Sequence, residues 1–185
     1  MEDKLTRSKK YSAYWHNKAS DLMGAAAAVC HSIDNSEQVA HAMNLPEGYR
    51  MGIAVKPVSL MLFGMAFEAL IKAITVEKGK DIQIKGHGLN SYLSHAEVCA
   101  EPQTRKYFDV LSGYITWAGR YPYPKKDQDF HNLTEQVNEV FYDKKPLGNM
   151  HILYPNDASG WSAFLEAWEY LNSIYWDEKS ERAKA

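Results

Sequence analysis

The chain has 185 residues and a formal net charge of −2, with 45% hydrophobic and 24% charged residues. That is one domain's worth of polypeptide with enough apolar content for a substantial core. The lack of a basic surplus excludes a protein that grips nucleic acid mainly by neutralising phosphates, so any such contact is local, with 4–10 and 120–126 the best basic runs.

The only cysteines are Cys30 and Cys99, which fits two reduced thiols used as small core residues. The charged, polar start has no signal-peptide pattern. The longest apolar run, 58–67, is too short to cross a bilayer and leads into Glu68. A soluble cytoplasmic protein with no membrane contact is expected.

The first predicted helix spans about 8–32. Trp15, Ala19, Leu22, Ala26 and Cys30 recur at three- and four-residue steps and form one apolar face. The alanine run 25–28 allows another helix to approach closely. A short helix at 36–43 and a turn at 45–49 follow. Pro57 suits the first turn of a long helix ending near Val76, because its missing N–H is not needed there. Residues 60–67 are apolar on every side, which places this helix at the centre. Gly79 is its stop, and 81–88 is a loop with two glycines.

Asn90 or Ser91 is the expected cap of a short helix whose buried face carries Leu93, Ala96 and Ala100. Pro102 opens the next helix, with Phe108, Leu111, Ile115 and Ala118 inward. Gly119 closes it, and Pro122 and Pro124 forbid its continuation. Asn132 and Glu135 match a capping box for a helix to about 143. The segment 145–159 reads as irregular. A last helix, 161–179, presents Trp161, Phe164, Leu165, Trp168, Leu171 and Tyr175 on one side, as core or dimer seam. Residues 1–7 and 179–185 are expected to fray. No strand period stands out. The class is all-α: four long helices with two or three short ones.

Three places carry chemistry. Glu68 and Lys72 lie four apart on the apolar helix, in the orientation that favours an ion pair. Either they form its solvated stripe with Thr75, or Glu68 is a carboxylate held in a cleft. His87, between two glycines, suits a structural cap, a general base or a phosphate contact. Arg120 beside Tyr121 and Tyr123, with Lys125 and Lys126 following, suits phosphate or base contacts, or else bridges helix ends. Cys30, His31, His95 and Cys99 make an awkward zinc set, because adjacent helical residues diverge. Glu135/Glu139 and Glu166/Glu169 lack the ExxH needed for a di-iron site. No metal or other cofactor is expected.

The Glu68-Ala-Leu-Ile-Lys72 helix, the Gly86-His87-Gly-Leu89 helix opening, Trp117-Ala-Gly-Arg120-Tyr121-Pro122, and the N-terminal helix from Tyr11 together resemble the HEPN-like superfamily. The resemblance covers roughly two-thirds of the chain. It implies a single HEPN-like domain over 1–185. It also implies a homodimer and a binding or regulatory module for RNA, a nucleotide or a partner protein, in a defence or toxin–antitoxin setting. The binding residues would be Glu68, Lys72, His87, Arg120 and Tyr121.

Many members of that superfamily are metal-independent endoribonucleases with an arginine, four to six intervening residues and then a histidine. No arginine here has a histidine at that offset. Arg120 is followed by His131 with ten residues between, and Arg7 by His16 with eight. The balance leans away from an enzyme. The alternatives are an endoribonuclease in which His87 or His131 is the base and Arg120 stabilises the transition state, or a structural protein-interaction bundle.

Overall fold

The computed structural model describes residues 10–82 and 84–184. The basic run 4–10, Arg7 and the 1–7 tail therefore lie outside the described residues, except Lys10. The protein is mostly helical, with one small two-stranded sheet.

Helix α1, Ser12–His31, packs along the central helix α4, Lys56–Glu77. Ala19, Met23 and Ala26 are buried in that seam, and Trp15, Leu22 and Cys30 flank it. Two short helices, α2 (Ser36–Ala42) and α3 (Met51–Ala54), connect them. Pro57 lies in the first turn of α4. From Ala66 to Glu77 every residue of α4 except Lys72 is buried, as a helix wrapped on all sides requires. The segment Met51–Glu77 is by length and composition apolar enough to cross a membrane, although the run 58–67 taken alone is not; its most apolar window has mean hydropathy 1.7 and is 72% buried inside the bundle.

Helix α4 ends where Lys80 N–H reaches Thr75 O and Gly79 N–H reaches Val76 O, the paired bonds of a Schellman stop. The same pair closes α5, Leu89–His95, through Val98 to Leu93 and Glu97 to Ser94. There Glu97 takes the left-handed backbone (φ 52°) that glycine usually supplies. The N-cap of α5 is Gly88, not Asn90 or Ser91. Asn90 turns its amide to Arg105 O and to Asp109 instead, at 2.8 and 2.7 Å. The Ser112 hydroxyl, brought over from the next helix, accepts Leu89 N–H.

Helix α6, Pro102–Gly113, widens into a π turn at Tyr114–Ala118. Helix α7, Asp127–Phe141, begins a turn before the expected Asn132. Asp127 and Asp129 occupy its first turn and favour that earlier start through the helix dipole. At 15 residues, α7 joins the long helices, so the described chain exceeds the expected four.

The segment 145–159, expected to be irregular, contains a hairpin, a small addition to a chain that is otherwise helical as expected. Strands β1 (Tyr142–Leu147) and β2 (Met150–Pro155) pair antiparallel, with Leu147 opposite Met150. Gly148, at φ +60°, turns the chain in two residues, a backbone region that side chains with a Cβ avoid. Asn156 clamps the base, its N–H to Phe141 O and its side-chain amide to Val140 O. Helix α8 runs Trp161–Lys184, past the expected end near 179. Arg182 holds this last turn by donating to Val76 O at 3.2 Å and reaching Glu77 Oε2 at 3.4 Å.

Aromatic rings bind the layers. Phe63 stacks on Phe164 at 3.8 Å, Phe67 meets Phe108 at 5.0 Å, and Tyr107 meets Phe164 at 5.2 Å. Full burial of each phenylalanine contributes about 1.5–3 kcal/mol. On α8, Phe164, Leu171 and Tyr175 are fully inside, while Trp161 and Trp168 pack partly buried against the core.

Candidate binding site at the central helix

Four parts of the chain converge on Glu68. The carboxylate is carried by α4 and is only 8% exposed. Its Oε1 accepts from Lys72 Nζ at 2.5 Å, and its Oε2 pairs with His87 Nδ1 at 2.8 Å. The Lys72 ammonium lies 5.0 Å from the Trp15 ring of α1 and 4.9 Å from the Tyr92 ring of α5. The cation is thus neutralised on one side and faced by aromatic rings on others. Tyr92 O–H donates to Gly86 O at 3.0 Å, which fixes the loop that delivers His87.

The solvated-stripe reading of Glu68, Lys72 and Thr75 therefore fails. Thr75 is 1% exposed and gives its hydroxyl to Ile71 O within the same helix. A lysine four residues past a buried glutamate keeps the carboxylate paired without exposing it.

His87 is the accessible member, with its side chain 44% exposed. With Glu68 as acceptor, the ring proton belongs on Nδ1. The neutral ring then offers Nε2 as an acceptor, and the protonated ring offers it as a donor. Nε2 has no hydrogen-bond partner among the described residues. The arrangement is an oriented imidazole at a surface, backed by a carboxylate that is itself held by an ammonium.

Arg120 is not part of this cluster. Its Nη2 donates to Ile115 O at 2.6 Å and Thr116 O at 2.9 Å, satisfying carbonyls at the end of the π turn. Its guanidinium lies 5.7 Å from the Tyr121 ring, and Tyr121 is 58% exposed. The preceding Gly119 lies so close to the start of α4 that a Cβ there would sit 2.4 Å from Met61 Cβ. Met61 is two helical turns before Glu68, about 10 Å along the axis. His131 is exposed on α7, with its ring 6.0 Å from Phe130. The expected five-residue cleft thus divides into Glu68, Lys72 and His87 at one place and Arg120 with Tyr121 at another.

Three of the residues weighed for metals are engaged elsewhere. His95 Nε2 meets Asp81 O at 2.7 Å, and the His31 ring packs 5.3 Å from Trp161. Glu139 pairs with Lys106, whose hydrogen bond and charge hold its carboxyl below the usual range. Among the described residues, no group of three or more His, Cys, Asp or Glu is placed to hold a metal ion.

Trp15 and Tyr92 belong to the site but were not singled out in the sequence, since each fits an ordinary apolar face. A second buried carboxylate was also passed over. Glu77, 9% exposed, accepts from the Ser12 hydroxyl and faces Arg182 from the last turn of α8. Its partners lie at the two ends of the described chain, and no local pattern announces them.

No protein-family model matches the chain, and no curated protein or solved structure has detectable similarity to it.

Proposed function

We propose that the chain is a HEPN-like helical module that binds RNA or a nucleotide through the His87 face of the Glu68–Lys72–His87 cluster, without cleaving it. The observation that carries this reading is the double engagement of Glu68. One oxygen holds Lys72 and the other holds His87 Nδ1, so the exposed ring is held in one orientation with Nε2 left for a ligand. A ribose hydroxyl or a base N–H is the kind of donor that neutral Nε2 accepts. Exposed Lys85, two residues earlier, supplies a local positive charge for a phosphate. Cleavage is disfavoured because the Arg120 guanidinium serves as a helix cap instead of facing His87.

The reading includes a homodimer. The exposed apolar side chains of Ile53, Val58 and Met65, on α3 and the outer side of α4, suit a contact with a second copy. Sedimentation at micromolar concentration tests this, with dimers expected and a monomer at high micromolar contradicting it.

The binding test uses a labelled single-stranded RNA in EDTA, resolved on native and denaturing gels. The expected result is retarded, uncut RNA, with retardation weakening as salt rises. RNA cut by the wild type but not by His87→Ala would establish the endoribonuclease reading instead. No retardation with RNA and no binding of mononucleotides would overturn the proposal.

A further inference from the structure

A cavity of about 540 Å³ opens between the start of α6 and the first half of α8, and it shares no residue with the Glu68 cluster. Its volume falls in the range of small-molecule sites. Small side chains create it. Ala163 and Ala167 lie one turn apart on α8, and Ala100 and Ala158 line the remaining wall. Tyr170 of α8 bridges the rim by donating its hydroxyl to Cys99 O at 2.6 Å.

The polar lining is one-sided in charge. Glu101 and Glu166 contribute carboxylates, and the lining contains no Lys, Arg or His. Tyr107 forms part of the wall and is 6% exposed, and its hydroxyl is buried with no hydrogen-bond partner. A buried hydroxyl left unpaired costs about 1–3 kcal/mol, and this one lies inside the core near Cys30, behind the cavity wall. Burial, with a smaller contribution from the nearby Cys30, pushes this phenol well above its usual range. It therefore stays protonated.

We propose that this cavity binds a small amphipathic amine, with the apolar body against the alanines and Val140 and the ammonium at Glu166 and Glu101. The opposing charges set the choice: an anion of the same shape would meet two carboxylates and no cation. The site is independent of the RNA reading and stands or falls separately.

The test uses the full chain with tryptamine, phenethylamine and a C8 alkylamine, and with indole-3-acetate as the anion of matched shape. Calorimetry reads binding. Peptide mapping after iodoacetamide reads alkylation of Cys99, which is exposed and lines the cavity. At least one amine is expected to bind and to slow Cys99 alkylation severalfold, while indole-3-acetate does neither. Glu166→Gln, at an exposed position that leaves folding intact, is expected to weaken the amine about tenfold. Ala167→Leu fills the cavity and should abolish binding. Tyr107→Phe should leave binding unchanged and the protein as stable or more so, because it removes an unpaired hydroxyl buried behind the wall. Binding by none of the amines, equal binding of the anion, or undiminished binding to Ala167→Leu would each overturn the proposal.

Discussion

The two ends of the α4 surface used the same kind of residue for different work. At the Glu68 end, a buried carboxylate holds a partly buried ammonium, and the most exposed member is His87. At the Arg120 end, a guanidinium closes the carbonyls of its own helix beside Tyr121, and the backbone at Gly119 fits tightly against Met61. The first joins four elements and presents a nitrogen to solvent. The second finishes a helix. An arginine beside aromatic rings therefore says little until its donors are counted, because carbonyls at a helix end can take them as readily as a phosphate.

The largest effect that separates the two ends is expected at Glu68. Glu68→Ala leaves Lys72 without its carboxylate in a mostly buried place, and should cost about 3 kcal/mol in urea unfolding. The double variant Glu68→Leu with Lys72→Met removes both charges and should recover most of that loss, to within about 1 kcal/mol of wild type. A loss below about 1 kcal/mol for Glu68→Ala alone would mean that the pair is no structural unit. At the other end the expected cost is smaller. Arg120→Ala gives up two bonds to terminal carbonyls, and should cost about 1 kcal/mol while leaving ligand binding intact.

The all-helical plan was legible wherever one face or all faces repeated. The α1 stripe and the wholly apolar α4 were clear because period and burial coincide. The stop at Gly79 was legible for the same reason that Glu97 was not. Both close a Schellman motif, but only glycine advertises the left-handed backbone. The hairpin was missed because its strands carry Lys144, Lys145 and Pro146 and are exposed on nearly every residue, so no alternation marks them. The Gly148-Asn149 pair between Leu147 and Met150 was the available signal. Of the site, Glu68 with Lys72 was readable from their spacing. The contact to His87 was not, since it depends on how a 19-residue separation closes through Tyr92 and the Gly86 carbonyl.

The smallest predicted effect sharpens the contrast between local strain and pairing. Glu97→Gly relieves the left-handed backbone and loses the ion pair with Lys80, and should raise the Tm by roughly one or two degrees near neutral pH. Lys80, through its hydrogen bond and charge, holds the Glu97 carboxyl below its usual range. A lowered folded-state value means that the pair stabilises above the ordinary carboxylate range and is lost as pH falls through the folded value. The gain from Glu97→Gly should therefore be larger at acidic than at neutral pH. An equal gain at both would show that the pair contributes nothing.

The most direct test is fluorescence anisotropy with one labelled single-stranded RNA against three proteins at fixed salt. His87→Ala is expected to weaken binding about tenfold, the loss of one positioned hydrogen-bonding partner, while Arg120→Ala stays within about twofold of wild type. If Arg120→Ala abolishes binding and His87→Ala does not, the helix end is the site and the Glu68 cluster is only a packing joint.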